Sequence, residues 1–378
     1  MKFLIAPGKY HDSSISSKLV GQAIYSGISR ALPDAKIVTM PVTDSKYGMP
    51  ALVAHTIGGR WVDLPFFDAF WQNKMGKYLL TNIDSQDTAI IDTEQIVGPE
   101  LAIAKNRNDL FHATSYGIGE FILDAVTSGY REIVVSLGTS ETFDGGLGAL
   151  QALGAKIYDE GGDLIPEGEN PLINGYEVDL DDVYRLLHKT RITLLLSYSS
   201  NVQLEGQRDY LSETQKDFLE DNLLFITEKI NQKYNLDIHP MPHSGSIKTL
   251  AGAFAMIRAH ISRSSFEWVA NVTGMDETIR SVDVMVTATD EVSAESMHDE
   301  ILFHLSKIAG YSKMPTFVLC NNFIDDFEDY EQLFTGIFST QMSNYANDNN
   351  DEQMLFEHYE SIANQLARTL DAFHNGNH

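Results

Sequence analysis

Residues 2–42 read KFLIAPGKYHDSSISSKLVGQAIYSGISRALPDAKIVTMPV. The run KFLIAP is short and almost unbroken in its apolar character, as expected of a strand buried on both faces. From Ser16 to Leu32 the period changes, and Leu19, Ala23, Ile24, Ile28 and Leu32 fall on one face of a helix. Ser13, Ser14, Ser16 and Ser17 offer N-caps for that helix, and AKIVTMPV at 35–42 reads as a second strand. Strand, helix and strand in direct succession is the unit from which parallel sheets are built, so the expected fold class is α/β.

The same alternation recurs downstream. YGIGEFILDAVTSGY (116–130) reads as a helix and REIVVSLG (131–138) as the strand after it. TRITLLLSYS (190–199), VDVMVTAT (282–289) and MPTFVLCNN (314–322) are further strands, each rich in branched residues. An acidic, Asn-rich loop, NYANDNNDE (344–352), precedes a final helix from about Gln353 to Phe373. In parallel sheets ligands gather beyond the carboxyl ends of strands. The search for a site therefore narrows to residues 7–13, 44–48, 138–146, 197–206 and 287–296.

Composition removes several function classes. With 378 residues and 43% hydrophobic content the chain is long enough for two ordinary globular domains. Its 53 acidic residues against 27 basic ones give a formal charge of -26, which repels nucleic acid and anionic membranes. An anionic substrate would need a local cluster of donors. The opening MKFLIAPG holds too few apolar residues for a signal-peptide core, and no run is long enough to span a membrane. A single cysteine, Cys320, excludes an internal disulfide and a multi-cysteine metal site, and its apolar run FVLC marks a buried structural thiol. These features fit a cytoplasmic protein whose partner is a small molecule, with no nucleic acid and no membrane.

Read residue by residue, the strand ends offer part of what phosphoryl transfer requires: cationic or N–H donors for phosphate, carboxylates for Mg²⁺, and a base near the attacking hydroxyl. Asp144 is followed by Gly145 and Gly146, so a phosphate could approach the backbone there, although Asp-Gly is also an ordinary turn signal. Lys9 and His11 follow the first strand, where a plain solvated loop is the alternative. Lys248 opens a helix after HSGS; SGSIKT lacks the glycines of a Walker motif but leaves Lys248 as a phosphate contact. Asp44, Asp92, Asp283 and Asp290 are further carboxylates near strand boundaries.

Three segments in order resemble the bacterial glycerate kinase family, whose members phosphorylate glycerate with ATP. IAPGKYHDS (5–13) is similar to the family's I-A-P-D-S-F-K-G-S. TSYGIGEFILDA (114–125) resembles T-T-Y-G-T-G-E-L-I-L-D-A, with Thr114, Tyr116, Gly117, Gly119 and Glu120 retained. GTSETFDGGLGALQALG (138–154) resembles G-G-S-A-T-N-D-G-G-x-G-x-x-Q-A-L-G, with Ser140, Thr142, Asp144, Gly145, Gly146 and Gly148 in place. The resemblance covers most of the chain. It implies two different α/β domains with a cleft between them, one of them flavodoxin-like with a parallel sheet. The domains are expected at 1–65 with 280–378, and at 66–279. It also implies Mg²⁺ and ATP as cofactors of an active enzyme.

The same alignment of motifs exposes departures at polar positions. Gly8 and His11 stand where the family has Asp and Lys, and DSKYG (44–48) keeps Asp44 and Gly48 but carries Tyr47 for an acid. Phe143 replaces Asn. SYSSNV (197–202) keeps only Asn201 of a C-D-V-D-N-P segment. PHSGSIKTLA (242–251) keeps Gly245 of a glycine-rich cradle. In TATDEVSA (287–294), Thr289, Glu291 and Ser293 replace Glu, Arg and Asp. Exchanging Arg for Glu beside an anion inverts the interaction.

Two functions follow. As a glycerate kinase, the chain would use Asp144 as a catalytic and metal-side residue, with His11 or Asp44 as the base. Lys9, Ser140, Thr142, Gly145, Gly146, Asn201 and Lys248 would bind phosphate or substrate, and Asp290 would substitute for a lost carboxylate. As a catalytically inactive homologue it would bind a small molecule or a partner, with Phe143, Tyr47 and Tyr198 lining or filling the former site. A different hydrolytic or transfer reaction has no Ser-His-Asp or Cys-His spacing behind it.

Overall fold

The computed structural model describes residues 1–8, 17–42, 48–98, 101, 106–138, 142–196, 211–238, 245–262, 265–292, 300–323, 333–340 and 352–375. In chain order the strands are β1 (Lys2–Pro7), β2 (Lys36–Thr39), β3 (Arg60–Phe67), β4 (Asn73–Ile83) and β5 (Gln86–Asp92). They continue with β6 (Glu132–Leu137), β7 (Lys156–Tyr158), β8 (Glu177–Asp179), β9 (Arg191–Leu196) and β10 (His260–Ser262). The last are β11 (Val284–Val292), β12 (Thr316–Phe323) and β13 (Gly336–Ser339). The chain divides into two units, 1–44 with 266–378, and 45–265.

In the first unit β1 lies between β2 and β11, parallel to both, and the sheet runs β13-β12-β11-β1-β2. Counted within this unit the order is 2-1-3-4-5, that of a flavodoxin-like sheet. The pleat sends alternate residues of β1 to opposite faces. Phe3 and Ile5 pack with Ile24, Ile28, Tyr359 and Ala363 of the helices Ser17–Ala31 and Glu352–Asn375. Leu4 and Ala6 pack on the other face with Phe266, Ala270, Met275, Ile301 and Leu305. Both faces are covered, which is why the strand reads as an unbroken apolar run.

The unit boundaries differ from the expected 65/66 and 279/280 for a physical reason at each. β3 pairs antiparallel with β4, which binds it to the second sheet. The helices Ser265–Thr273 and Met275–Arg280 place Phe266, Ala270, Met275 and Ile279 against β1 and β11, which binds them to the first.

The second unit has a six-stranded sheet, β10-β9-β6-β5-β4-β3. β5, β6, β9 and β10 are parallel, and β4 and β3 extend the sheet antiparallel as a hairpin edge. A separate ribbon pairs β7 with β8. The helix Tyr116–Thr127 buries Ile118, Phe121, Ile122 and Ala125 against the six-stranded sheet, beside β6 residues Ile133 and Val135. No described helix is long and apolar enough to cross a membrane.

Candidate active site

After β6 the chain enters the stretch that ends in Asp144, Gly145, Gly146 and the short helix Leu147–Ala152. Gly145 and Gly146 both have positive φ, 62° and 76°, and two successive left-handed residues turn the backbone so that the next amides point back at Asp144. Oδ1 of Asp144 accepts from Gly146 N at 2.9 Å. Oδ2 accepts from Ser115 N at 2.6 Å, Ser115 Oγ at 2.8 Å, Gly148 N at 3.2 Å and Thr114 Oγ1 at 3.3 Å. Ser115 Oγ in turn accepts from Ala149 N at 3.0 Å, and Leu147 N donates to the Asp144 carbonyl at 3.1 Å.

Every amide from Gly146 to Ala149 is thereby satisfied inside the protein. These are the first-turn donors that a helix start ordinarily leaves for a cap or an anion. Asp144 is fully buried. Burial pushes its carboxyl above the usual range, and the hydrogen bonds from Ser115, Gly146 and Gly148 pull it back. The arrangement makes Asp144 a brace between the start of one helix and the start of another. Four of the five donors converge on Oδ2, while among the described residues Oδ1 accepts from Gly146 N alone. Thr142 is likewise fully buried, and Phe143 packs against the core while its carbonyl accepts from the Asn170 side chain at 3.5 Å.

Beside the brace stands an aromatic and acidic wall. Tyr116, the first residue of its helix, meets Trp71 edge-on at 5.1 Å, and Trp71 stacks on Phe67 at 4.3 Å. Burial raises the Tyr116 hydroxyl's pKa, and a hydrogen bond to Glu167 adds to it. Glu120 accepts from Phe67 N at 2.7 Å; burial raises its carboxyl, the Phe67 amide opposes that, and the nearby Glu167 charge reinforces it. Retained Tyr116 and Glu120 thus hold the β3 end in place.

In the first unit the ends of β1 and β11 form the switch point where a flavodoxin-like sheet binds ligands. Gly8 N donates to the Ala288 carbonyl at 2.9 Å, and Thr287 Oγ1 to the Ala6 carbonyl at 2.8 Å, which fixes the two ends together. Asp290 accepts from Asn321 Nδ2 at 3.3 Å. Asn321 Oδ1 accepts from Tyr359 OH at 2.9 Å and Thr340 Oγ1 at 3.1 Å, so Asp290 belongs to a polar network across three elements. Cys320 is buried, and burial pushes its thiol up to about 12, consistent with an inert structural residue.

Of the residues expected at the site, Asp144, Thr142, Gly145, Gly146 and Asp290 are described; Lys9, His11, Asp44, Ser140 and Asn201 lie outside the described residues. Lys248 lies on the helix Gly245–Met256, and its side chain is outside them. Among the described residues no three acidic, histidine or cysteine side chains converge on one point. Ser115 is the functional residue that sequence reading overlooks. A serine just before a helix signals a cap, yet its hydroxyl serves Asp144 and Ala149 instead of its own helix.

The fold and these strand-end arrangements define a two-unit α/β protein with parallel sheets. A model of the glycerate kinase family matches residues 3–371, and the chain belongs to that family. It is similar to glycerate 2-kinase of Escherichia coli K12, 28% identical over 337 residues and covering 86% of each chain. It is also similar to glycerate kinases of Halalkalibacterium halodurans, at 22% identity with 86% of each chain covered, and Bacillus cereus, at 25% with 84% and 87% covered. A crystal structure of a Salmonella typhimurium LT2 protein assigned as glycerate kinase 2 superimposes with a TM-score of 0.81 at 22% identity, covering 99% of both chains.

Proposed function

We propose that this chain is a phosphotransferase that phosphorylates glycerate or a closely related small hydroxy acid with ATP. The observation that carries the reading is the intact brace: Thr114, Ser115, Asp144 and Gly148, all within segments shared with the family, still close on one another with full hydrogen bonding. A scaffold maintained to this degree supports loops that still bind a ligand. In this reading Asp144 is a positioning residue that sets the loop 138–146 on the start of the helix Tyr116–Thr127. Lys9 and Lys248 contact phosphate, His11 or Asp44 takes the proton of the attacking hydroxyl, and Ser140, Asn201 and Asp290 contribute polar contacts. The ligand is held at the strand ends.

A second reading rests on a separate observation. The first-turn amides 146–149 are consumed internally, Asp144 is buried, and Glu291 stands where the family has arginine. This favours a homologue that binds a small molecule or partner without turnover.

The test is phosphoglycerate formation followed by mass spectrometry, with purified protein, Mg²⁺, ATP and glycerate. A Lys9→Ala variant prepared identically controls for contaminating kinase, because Asp144 variants would confound catalysis with folding. Turnover in the parent that falls on the order of a hundredfold in Lys9→Ala would support the kinase reading. Equal traces in both, or none in either, would overturn it and leave the second.

A further inference from the structure

The opposite end of the second unit's sheet carries a feature that neither reading uses. An open depression of about 620 Å³ lies where β9 and β10 begin, and Arg191, Arg258, His260 and Thr190 line it. No carboxylate is among the described residues that line it. In a chain with 53 acidic and 27 basic residues, such a surface stands out as a local reversal of charge.

Arg258 is placed there by an unusual choice of residue. The helix Gly245–Met256 ends with Arg258 N donating to the Ala255 carbonyl at 2.9 Å and Ala259 N to the Phe254 carbonyl at 3.0 Å. This is the Schellman pattern, whose left-handed position belongs to glycine in most helices. Here Arg258 occupies it with φ 60°, a backbone conformation that residues other than glycine rarely adopt. Its guanidinium sits 5.8 Å from the Tyr184 ring, a cation–π contact that orients it, and Tyr184 is itself tied by its hydroxyl to the Met256 carbonyl at 2.8 Å. Arg191 has a carboxylate neighbour in Glu132 only at 3.7 Å, and its side chain is 69% exposed. Thr190 Oγ1 is buried and has no hydrogen-bond partner among the described residues.

We propose that this depression binds the phosphate group of a small phosphorylated molecule, at a site separate from the strand-end loops. Two guanidinium groups and an imidazole supply more donors than a single carboxylate can accept, and they match the several oxygens of a phosphate. Leu187, Ile192 and Ile257 give the rest of the molecule an apolar floor. The volume falls in the range of small-molecule sites and exceeds what one inorganic phosphate fills. β9 separates this end from the loop that follows Leu196 by roughly 20 Å of strand, so the two ends of one strand would hold different ligands.

The experiment uses inorganic pyrophosphate as the probe, titrated calorimetrically into the full chain at constant ionic strength. Arg258→Gly is the informative variant: it removes the guanidinium and relaxes the left-handed backbone, so it melts at or above the parent temperature. Binding to the parent, with affinity lowered about tenfold in Arg258→Gly and similarly in Arg191→Gln, is the expected result. Arg185→Ala, on the nearby surface but not lining the depression, leaves affinity unchanged. No heat of binding in the parent, or equal affinity in the parent and Arg258→Gly, would overturn the proposal. Retained affinity in the variant would mean the probe binds elsewhere, such as at the strand-end loops.

Discussion

The hydroxyl of Ser115 donates to Asp144 at 2.8 Å and accepts from the Ala149 amide at 3.0 Å, so one side chain serves the starts of two helices. Its partners lie 29 and 34 positions away in sequence. Ser115→Ala leaves a buried amide without an acceptor and takes one donor from a buried carboxylate. The expected loss is about 2 kcal/mol, read from the denaturant midpoint. A loss below about 0.5 kcal/mol would show that the brace tolerates a missing member.

Asp144→Asn tests the carboxylate itself. An amide presents two N–H donors to a pocket whose partners are already donors, so one end of the side chain meets repulsion wherever it turns. We expect a destabilisation of about 3 kcal/mol, larger than that of Ser115→Ala. In a double-mutant cycle the two changes should couple by more than about 0.5 kcal/mol, because they share a hydrogen bond.

Gly148→Ala probes close approach at the same place. A Cβ there would collide with Thr114 Oγ1 and stand 2.6 Å from Asp144 Oδ2. Neither neighbour can move without giving up its hydrogen bonds. The expected cost is about 2–3 kcal/mol, seen as a lower melting temperature with unchanged secondary structure by circular dichroism.

Gly27→Ala asks the equivalent question of the first unit. The helices Ser17–Ala31 and Glu352–Asn375 cross at Gly27, where a Cβ would meet the Glu360 carbonyl and lie 2.9 Å from Ala363 Cβ. The contact is reinforced by Ser26 Oγ on Glu360 Oε1 at 2.6 Å and Asn364 Nδ2 on the Gly27 carbonyl at 3.1 Å. Alanine should destabilise this unit by about 1–3 kcal/mol, with protection of the β1 amides in hydrogen exchange as the reporter.

His304 gives a pH dependence with a definite sign. Burial lowers its pKa below the ordinary 6.5, the Glu267 carboxylate at 3.6 Å opposes that, and Lys307 reinforces it. The unfolded chain therefore takes up the proton first as pH falls. The stability contribution is present above about 6.5 and is lost as pH falls through the lower folded value. His304→Phe preserves the stack on Phe266, whose ring centroid is 5.7 Å away, and removes the titration. The variant's melting temperature should fall less than the parent's between neutral pH and pH of about 5; parallel slopes would contradict this.

Much of the fold is legible in the chain because strands buried on both faces and amphipathic helices carry strong periods. The opening strand, helix and strand appear at Lys2–Pro7, Ser17–Ala31 and Lys36–Thr39, and the last helix at Glu352–Asn375. The β3–β4 hairpin is not legible in the same way. Its strands are half exposed, Lys74 and Lys77 interrupt the apolar run, and Pro65 sits on an edge strand, where it is tolerated. The unit boundaries are hidden for another reason. Phe266, Ala270 and Met275 announce amphipathic helices, but nothing in their spacing says which sheet they cover. At the site, the glycines suggest room for phosphate, whereas Gly148 makes room for Thr114 and Asp144. Apolar spacing records burial; it does not record which polar atoms meet across distant segments.

The split of the first unit around the second has a consequence for synthesis. Residues 45–265 emerge as an uninterrupted block with their own sheet and core, so they can fold while translation is still under way. β1, made before that block, has β2 on one side early but must wait for β11, whose first residue is Val284, and its helical cover is complete only once Tyr359 and Ala363 have been added. An apolar segment made before that block is thus enclosed after it, and until then its open edge needs shielding.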